Sequence, residues 1–213
     1  MRIWTYEGGY DNNFSYLLAG DDTQDAAIID AAVPFTEIEP IIESEQLNVN
    51  YLLITHTHGD HTAYAREYCS SLEDIQIAHF GGGSFPESLS LSDGDTLSVG
   101  QQKINVIHTP GHYPDSVCFQ TEKCLFSGDT LFVGRTGRTI SPQGDSRQLY
   151  RSVYEKLLPL PGDTVIYPGH NYGHQPTITL KDNIAISTLL QSESEDDFVD
   201  RMAQYERSRT LGS

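Results

Sequence analysis

The chain has 213 residues, 38% of them hydrophobic, with 30 acidic against 13 basic side chains and a net charge of −17, enough to bury a full core inside an acidic surface. Such a field disfavours nucleic acid and anionic membrane as partners. No apolar run approaches the roughly 18–20 residues of a membrane span, and three cysteines (Cys69, Cys118, Cys124) without a CxxC pair argue against a disulfide framework or a thiolate zinc cluster.

The opening MRIWTYEGGY has neither a basic n-region nor an apolar h-region, so no signal peptide and a cytoplasmic, reducing location are expected. With no solenoid repeat and no low-complexity linker, residues 1–213 are expected to form one domain, with a short polar helical tail from about 180. In chain order, FSYLLAG and AAIID read as strands separated by the polar turn DDTQD. FTEIEPIIESEQL reads as a helix, with Thr36 and Glu39 as a capping box and Pro40 in its first turn. YLLI is a buried strand, and TAYAREYCSSL a helix. IQIAHF, DTLSV, KINVIHT, SVCFQ and CLFSG follow as strands, with Cys118 and Cys124 placed to face each other across a hairpin. SRQLYRSVYEKLL is a helix carrying Leu149, Val153 and Leu157 on one face, and TVIYPG is the last strand. The acidic stretch SESEDDFVD reads as a solvated helix face. Strands then a helix, twice over, predict two packed sheets with helices outside.

Four of these apolar strands end in metal-ligand residue types. After YLLI comes His56-Thr-His58-Gly-Asp60-His61, after INVIHTPG His112, after CLFSG Asp129, and after TVIYPG His170. Strand ends on one edge of a sheet converge in space although far apart in sequence. His56 and His58 point the same way if the strand extends to them, and Gly59 permits a bend that turns Asp60 and His61 elsewhere. So many ionisable groups on adjacent positions repel and desolvate one another without a cation. Imidazole and carboxylate donors suit zinc, iron or manganese, and the lack of thiolates argues against a closed structural zinc site. Seven ligands exceed one tetrahedral ion but suit two divalent ions with Asp129 as a shared bridge. His79, His108 and His174 lack this context and read as structural or surface residues.

These residues resemble the pattern of the metallo-β-lactamase superfamily and, more narrowly, of glyoxalase II, the hydroxyacylglutathione hydrolases. The resemblance runs through NFSYLLAG, THTHGDH, HTPGHYPDSVCF, LFSGDTLFVGRTGRT and YPGHNYG, roughly residues 10–175. GDTLF with PGHNY narrows it to this thioesterase branch and its relatives, the persulfide dioxygenases. The resemblance implies an α/β fold of four layers, an αββα sandwich of two mixed sheets. It implies one metal on His56, His58 and His112 and a second on Asp60, His61 and His170, with Asp129 bridging. It places Tyr172 and Arg138 against a glutathione-bearing substrate, and Arg135 stands beside Arg138. Asp115 and "IDAA" (29–32) replace the more usual glycine and "DP" turn. Ile140 replaces a tyrosine, and only 43 residues follow His170 where longer relatives carry a helical region.

The expected activity is hydrolysis of an acyl-glutathione thioester such as S-lactoylglutathione, with two metal ions, zinc first, activating a water that Asp60 orients. No GxSxG is present, and none is needed. A single-iron glutathione persulfide dioxygenase and a lactonase of the same fold are the alternatives. A non-catalytic module is disfavoured because every ligand position is filled, and the flavodiiron branch because it has a glutamate where His58 stands.

Overall fold

Every position of β2 (Asn13–Ala19) is buried, because one face of the strand meets a second sheet and the other meets helices. The computed structural model describes residues 1–81, 85 and 87–210. One sheet runs in sequence order from β1 (Arg2–Gly8) through β2, β3 (Asp25–Ile29), β4 (Asn48–Leu53) and β5 (Gln76–Phe80) to β6 (Leu89–Leu91). It is antiparallel up to β3 and parallel from there. The other sheet contains β7 (Thr96–Val99), β8 (Gln102–His108), β9 (Val117–Gln120) and β10 (Cys124–Gly128). A small ribbon of β11 (Leu131–Phe132) and β12 (Arg135–Thr136) intervenes before β13 (Val165–Pro168) and β14 (Ile178–Thr179) complete that sheet, in the order β14-β13-β10-β9-β8-β7.

Between the sheets lie Phe14, Tyr16, Leu18, Ile29, Leu53, Val106, Phe119 and Phe126. Leu17, Ile28 and Leu52 face outward onto Ile38 and Ile42 of α1 (Phe35–Glu45) and Tyr68 of α2 (Ala65–Ser71). On the far side, Leu125 and Ile166 meet Leu149 of α3 (Ser146–Arg151), then Val153 and Leu157 of the π-helical stretch that continues it (Ser152–Leu157). A short helix α4 (Leu180–Ile186) and the terminal α5 (Glu195–Thr210) complete that layer. This is the αββα sandwich.

Several local readings change. Thr36 and Glu39 form no capping box: α1 begins at Phe35 behind Pro34 without a side-chain cap, and the Phe35 N–H donates to Glu67 Oε1 instead (3.0 Å). Pro40 consequently lies in the second turn. Cys118 and Cys124 sit on opposite faces of their hairpin, one toward the helices and one toward the inter-sheet core, because six residues along two paired strands do not restore the same face. The acidic tail is only partly a solvated face. Phe198 and Met202 of α5 are fully buried, and Glu195 pairs with Arg147 and Arg151. Strands β1, β6, β11, β12 and β14 were not legible, being sheet edges or pairs too short to show a period.

The site follows from how the sheets meet at one rim. Phe14 N–H donates to Gly169 O (2.8 Å), Val117 N–H to Thr55 O (2.8 Å) and Gly169 N–H to Gly128 O (2.9 Å). These bonds tie the segment after β13 to β2 and to the end of β10, and the segment after β4 to β9.

Candidate metal centre

All seven side chains singled out for metal binding meet at this rim. Strand β4 stops at Leu53, so His56 and His58 stand in the loop beyond it rather than on one strand face. Their rings still converge: His56 Nε2 is 2.9 Å from His58 Nδ1, which is 3.1 Å from His112 Nε2. On the other side, His61 Nε2 lies 3.3 Å from His170 Nε2, and Asp60 Oδ2 lies 3.6 Å from the first and 3.4 Å from the second. Asp129 stands between the groups, Oδ2 3.4 Å from His112 Nε2 and Oδ1 3.2 Å from His61 Nε2 and 3.4 Å from His170 Nε2.

These separations have a chemical meaning. Donor atoms bound at about 2.0–2.2 Å around a tetrahedral ion lie about 3.3–3.6 Å from one another. Ligand atoms of His56, His58 and His112, of His56, His61 and Asp129, and of Asp60, His61 and His170 each form a group compact enough to hold an ion. Asp129 Oδ1 is buried without a hydrogen-bond partner, which costs free energy unless a cation meets it. The residues therefore fit a divalent metal.

The rings are aimed by what holds their other nitrogen. His61 Nδ1 is 2.7 Å from Asp30 Oδ2, His112 Nδ1 donates to Arg138 O (2.7 Å), His170 Nδ1 to Asp11 O (2.8 Å), and His56 Nδ1 lies 3.2 Å from Thr55 Oγ1. In each case Nε2 is left facing the centre. Burial pushes His56 well below the usual imidazole range. Burial also acts to lower His61, but the Asp129 and Asp30 carboxylates outweigh it and hold this ring well above that range. At His170, burial is outweighed by the facing Asp129 and Asp60 carboxylates, raising it to about 9. Burial works to raise Asp60 and Asp129 alike. It is overcome at Asp60 first by its bond to His170 and at Asp129 first by the charge of His61, so both are low.

The supports around these ligands were the part that sequence reasoning missed. Asn13 donates its Nδ2 to Asp60 Oδ2 (2.9 Å). Asp30, at the end of β3 and at φ +56°, accepts from Thr55 N–H and Oγ1 (both 2.8 Å) as well as facing His61. An acidic residue closing a buried strand was the available signal, since Asp129 was found by the same rule. Asp115 accepts from Thr57 Oγ1 (2.6 Å), pinning the residue between His56 and His58.

A cavity of about 580 Å³ opens over the centre, with Arg138, Tyr172, Tyr10 and Asp11 among its walls. Arg135 turns away from it to Tyr205 Oη and Tyr172 O (3.1 Å each). Tyr172 lines the cavity, yet its hydroxyl donates to Asp11 and its ring stacks on His170. Ile140 is exposed away from the cavity. His79 bonds Ser88 Oγ (3.0 Å) and His108 stacks on Phe80, structural roles as expected, and His174 is exposed. No helix among the described residues is long and apolar enough to cross a membrane.

Comparison with known proteins agrees with this architecture. A hydroxyacylglutathione hydrolase assigned as probable, glo2 of Schizosaccharomyces pombe, is 33% identical over 177 residues, covering 80% of this chain and 68% of that one. The human mitochondrial persulfide dioxygenase ETHE1 is 32% identical over 191 residues, covering 86% and 73%. The crystal structure of ETHE1 from Myxococcus xanthus superposes with a TM-score of 0.85 at 25% identity, covering 95% of this chain and 90% of that one. The family model of the metallo-beta-lactamase superfamily matches residues 8–170, and the chain belongs to that superfamily.

Proposed function

We propose that the protein is a metal-dependent thioester hydrolase of the hydroxyacylglutathione hydrolase type, cleaving an acyl-glutathione such as S-lactoylglutathione. His56, His58 and His112 would hold one divalent ion and Asp60, His61 and His170 the second, with Asp129 shared. Zinc is the first choice for these donors, and iron and manganese also accept them. The observation that carries this reading is His58 Nδ1, aimed at the same point as His56 Nε2 and His112 Nε2 at 2.9 and 3.1 Å, which completes a second ligand group beside the carboxylate-containing one.

When bound, two such cations supply a water acidic enough to ionise near neutral pH and a Lewis acid for the thioester carbonyl. The protein's own groups do the rest. Asp60, fixed by Asn13 and partly open to the cavity, accepts a hydrogen bond from the attacking water and orients it. Arg138 offers a glutathione carboxylate a charge-assisted partner in a chain that is otherwise strongly acidic. The leaving thiolate needs no strong acid, because a thiol ionises near pH 8.5. No cysteine serves as nucleophile: Cys118 is fully buried and raised to about 11 by burial, and Cys69 and Cys124 do not line the cavity.

A second reading, a single-iron glutathione persulfide dioxygenase, is favoured by the match covering nearly all of both this chain and the Myxococcus protein. It leaves His58 without a metal role. Elemental analysis with two assays separates the readings. Two zinc per chain and hydrolysis of S-lactoylglutathione above a chelator-stripped control are expected. One iron per chain with oxygen uptake on glutathione persulfide, and no hydrolysis, would replace the proposal by the second reading.

A further inference from the structure

We infer that helix α5 is a positioning element of the metal centre, with Tyr205 and Glu206 bracing different ligand groups. The inference rests on the ligand assignment proposed above. Two adjacent residues of the helix reach toward the centre by separate routes. Tyr205 Oη accepts from Arg135 Nη1 (3.1 Å), whose Nη2 donates to Tyr172 O (3.1 Å) while the guanidinium sits 4.7 Å over the Tyr172 ring. Tyr172 also contacts His170: the two rings stack at 4.6 Å and 4°. The Tyr172 hydroxyl also grips Asp11, the residue whose carbonyl holds His170 Nδ1. Tyr205 therefore braces His170, in the carboxylate-containing group.

Glu206 works on the other group. Its Oε1 accepts from the Thr139 N–H (2.7 Å) and from Thr139 Oγ1 (3.1 Å). The neighbouring Arg138 presents the carbonyl that fixes His112 Nδ1 at 2.7 Å. Other contacts also seat the helix: Phe198 and Met202 are fully buried in the cluster on which the Tyr205 ring packs, and Glu195 pairs with Arg147 and Arg151. The Tyr205 hydroxyl and the Glu206 carboxylate are thus additions to a helix that apolar residues and ion pairs already hold. Because imidazole orientation follows the partner of the second nitrogen, loosening a brace lowers metal affinity at the ring it serves.

The test reads zinc affinity by competition with a chromophoric chelator, alongside the melting temperature of the stripped protein. His58→Ala protein isolates the Asp60/His61/His170 group, and His170→Ala protein isolates the His56/His58/His112 group. Adding Tyr205→Phe is expected to weaken zinc about tenfold in the first background and less than about twofold in the second. Glu206→Ala is expected to do the reverse, and Glu206→Gln, which keeps an acceptor for the Thr139 N–H, to recover most of the loss. Glu195→Gln, on the same helix but away from the braces, is expected to leave both affinities unchanged. Equal losses in both backgrounds, losses that follow the melting temperature, or no loss overturn the inference. Should Glu206→Ala not fold, Tyr205→Phe, which removes one oxygen, decides alone. Wild-type protein that binds no zinc overturns the ligand assignment itself, a result distinct from any behaviour of the braces.

Discussion

The converging side chains come from two unlike sources. The loop after β4 delivers His56, His58, Asp60 and His61 within six residues, whereas His112, Asp129 and His170 arrive singly, each directly behind a glycine. The glycines show the difference. A Cβ on Gly59, inside the clustered loop, would meet nothing within 4 Å, and Gly59 is not at positive φ, so the bend attributed to it does not require glycine. A Cβ on Gly169 would stand 2.4 Å from Asp129 Oδ1 and 2.8 Å from His61 Cε1, and one on Gly111, at φ +134°, 2.3 Å from the Leu149 backbone nitrogen. The cluster is a local arrangement with room around it. The lone ligands are seated by close backbone approach, so their placement depends on everything packed behind them.

Experiments can sharpen or break this contrast, and the largest effect belongs to the residue shared between the groups. Asp129→Ala is expected to lower thioester turnover by about 10³-fold and to reduce bound metal below two per chain. His58→Ala should cost less turnover and remove one ion only. A larger loss for His58 would reverse the order.

The next effect concerns charge in metal-stripped protein, where a lone ligand and a clustered one respond oppositely. His170 is raised to about 9, so its extra proton stabilises the fold fully below about pH 6.5, and that stability is lost as pH rises through 9. The change is on the order of 3 kcal/mol. His56 is held low by burial, so it contributes stability above about pH 6.5 that is lost as pH falls below that value. Denaturant titrations of stripped protein from pH 5 to 10 should show both limbs. His170→Gln should flatten the alkaline limb and His56→Gln the acidic one, and limbs that ignore these substitutions would refute the assignment.

The glycine contrast gives the smallest effect. Gly169→Ala is expected to cost about 1–3 kcal/mol in denaturant unfolding, with weakened metal binding, because the added Cβ meets Asp129, His61 and the Gly128 backbone at once. Gly59→Ala should fall within about 0.5 kcal/mol of the parent. Equal effects would mean that the clustered loop is as constrained as the lone positions.

The same contrast explains what was legible in the sequence. Strands β4 and β10 declared themselves through unbroken apolar runs, β2 and β8 through runs interrupted by one polar residue, and the helix carrying Leu149, Val153 and Leu157 through its spacing. The capping box failed because Pro34 and Glu67 set the start of α1, and Glu67 belongs to another helix. Arg138, assigned to the substrate side by the resemblance, lines the cavity, while Arg135, three residues away, is drawn to Tyr172 and Tyr205. Asn13 and Asp11 carried no local mark of their roles, because each acts on a side chain far along the chain, Asp60 and His170 respectively.

Donor chemistry was therefore set by the sequence alone: which strands are buried, that each ends in imidazole or carboxylate, and that so many such groups call for a cation. The tertiary structure decided which nitrogen each histidine presents, that Arg135 turns from the cavity, and that α5 meets Arg135 and Thr139 beside the site. The reason is physical. Burial periodicity and ligand type are properties of neighbouring residues, whereas ring orientation and access depend on contacts between segments that meet only when the two sheets close against each other.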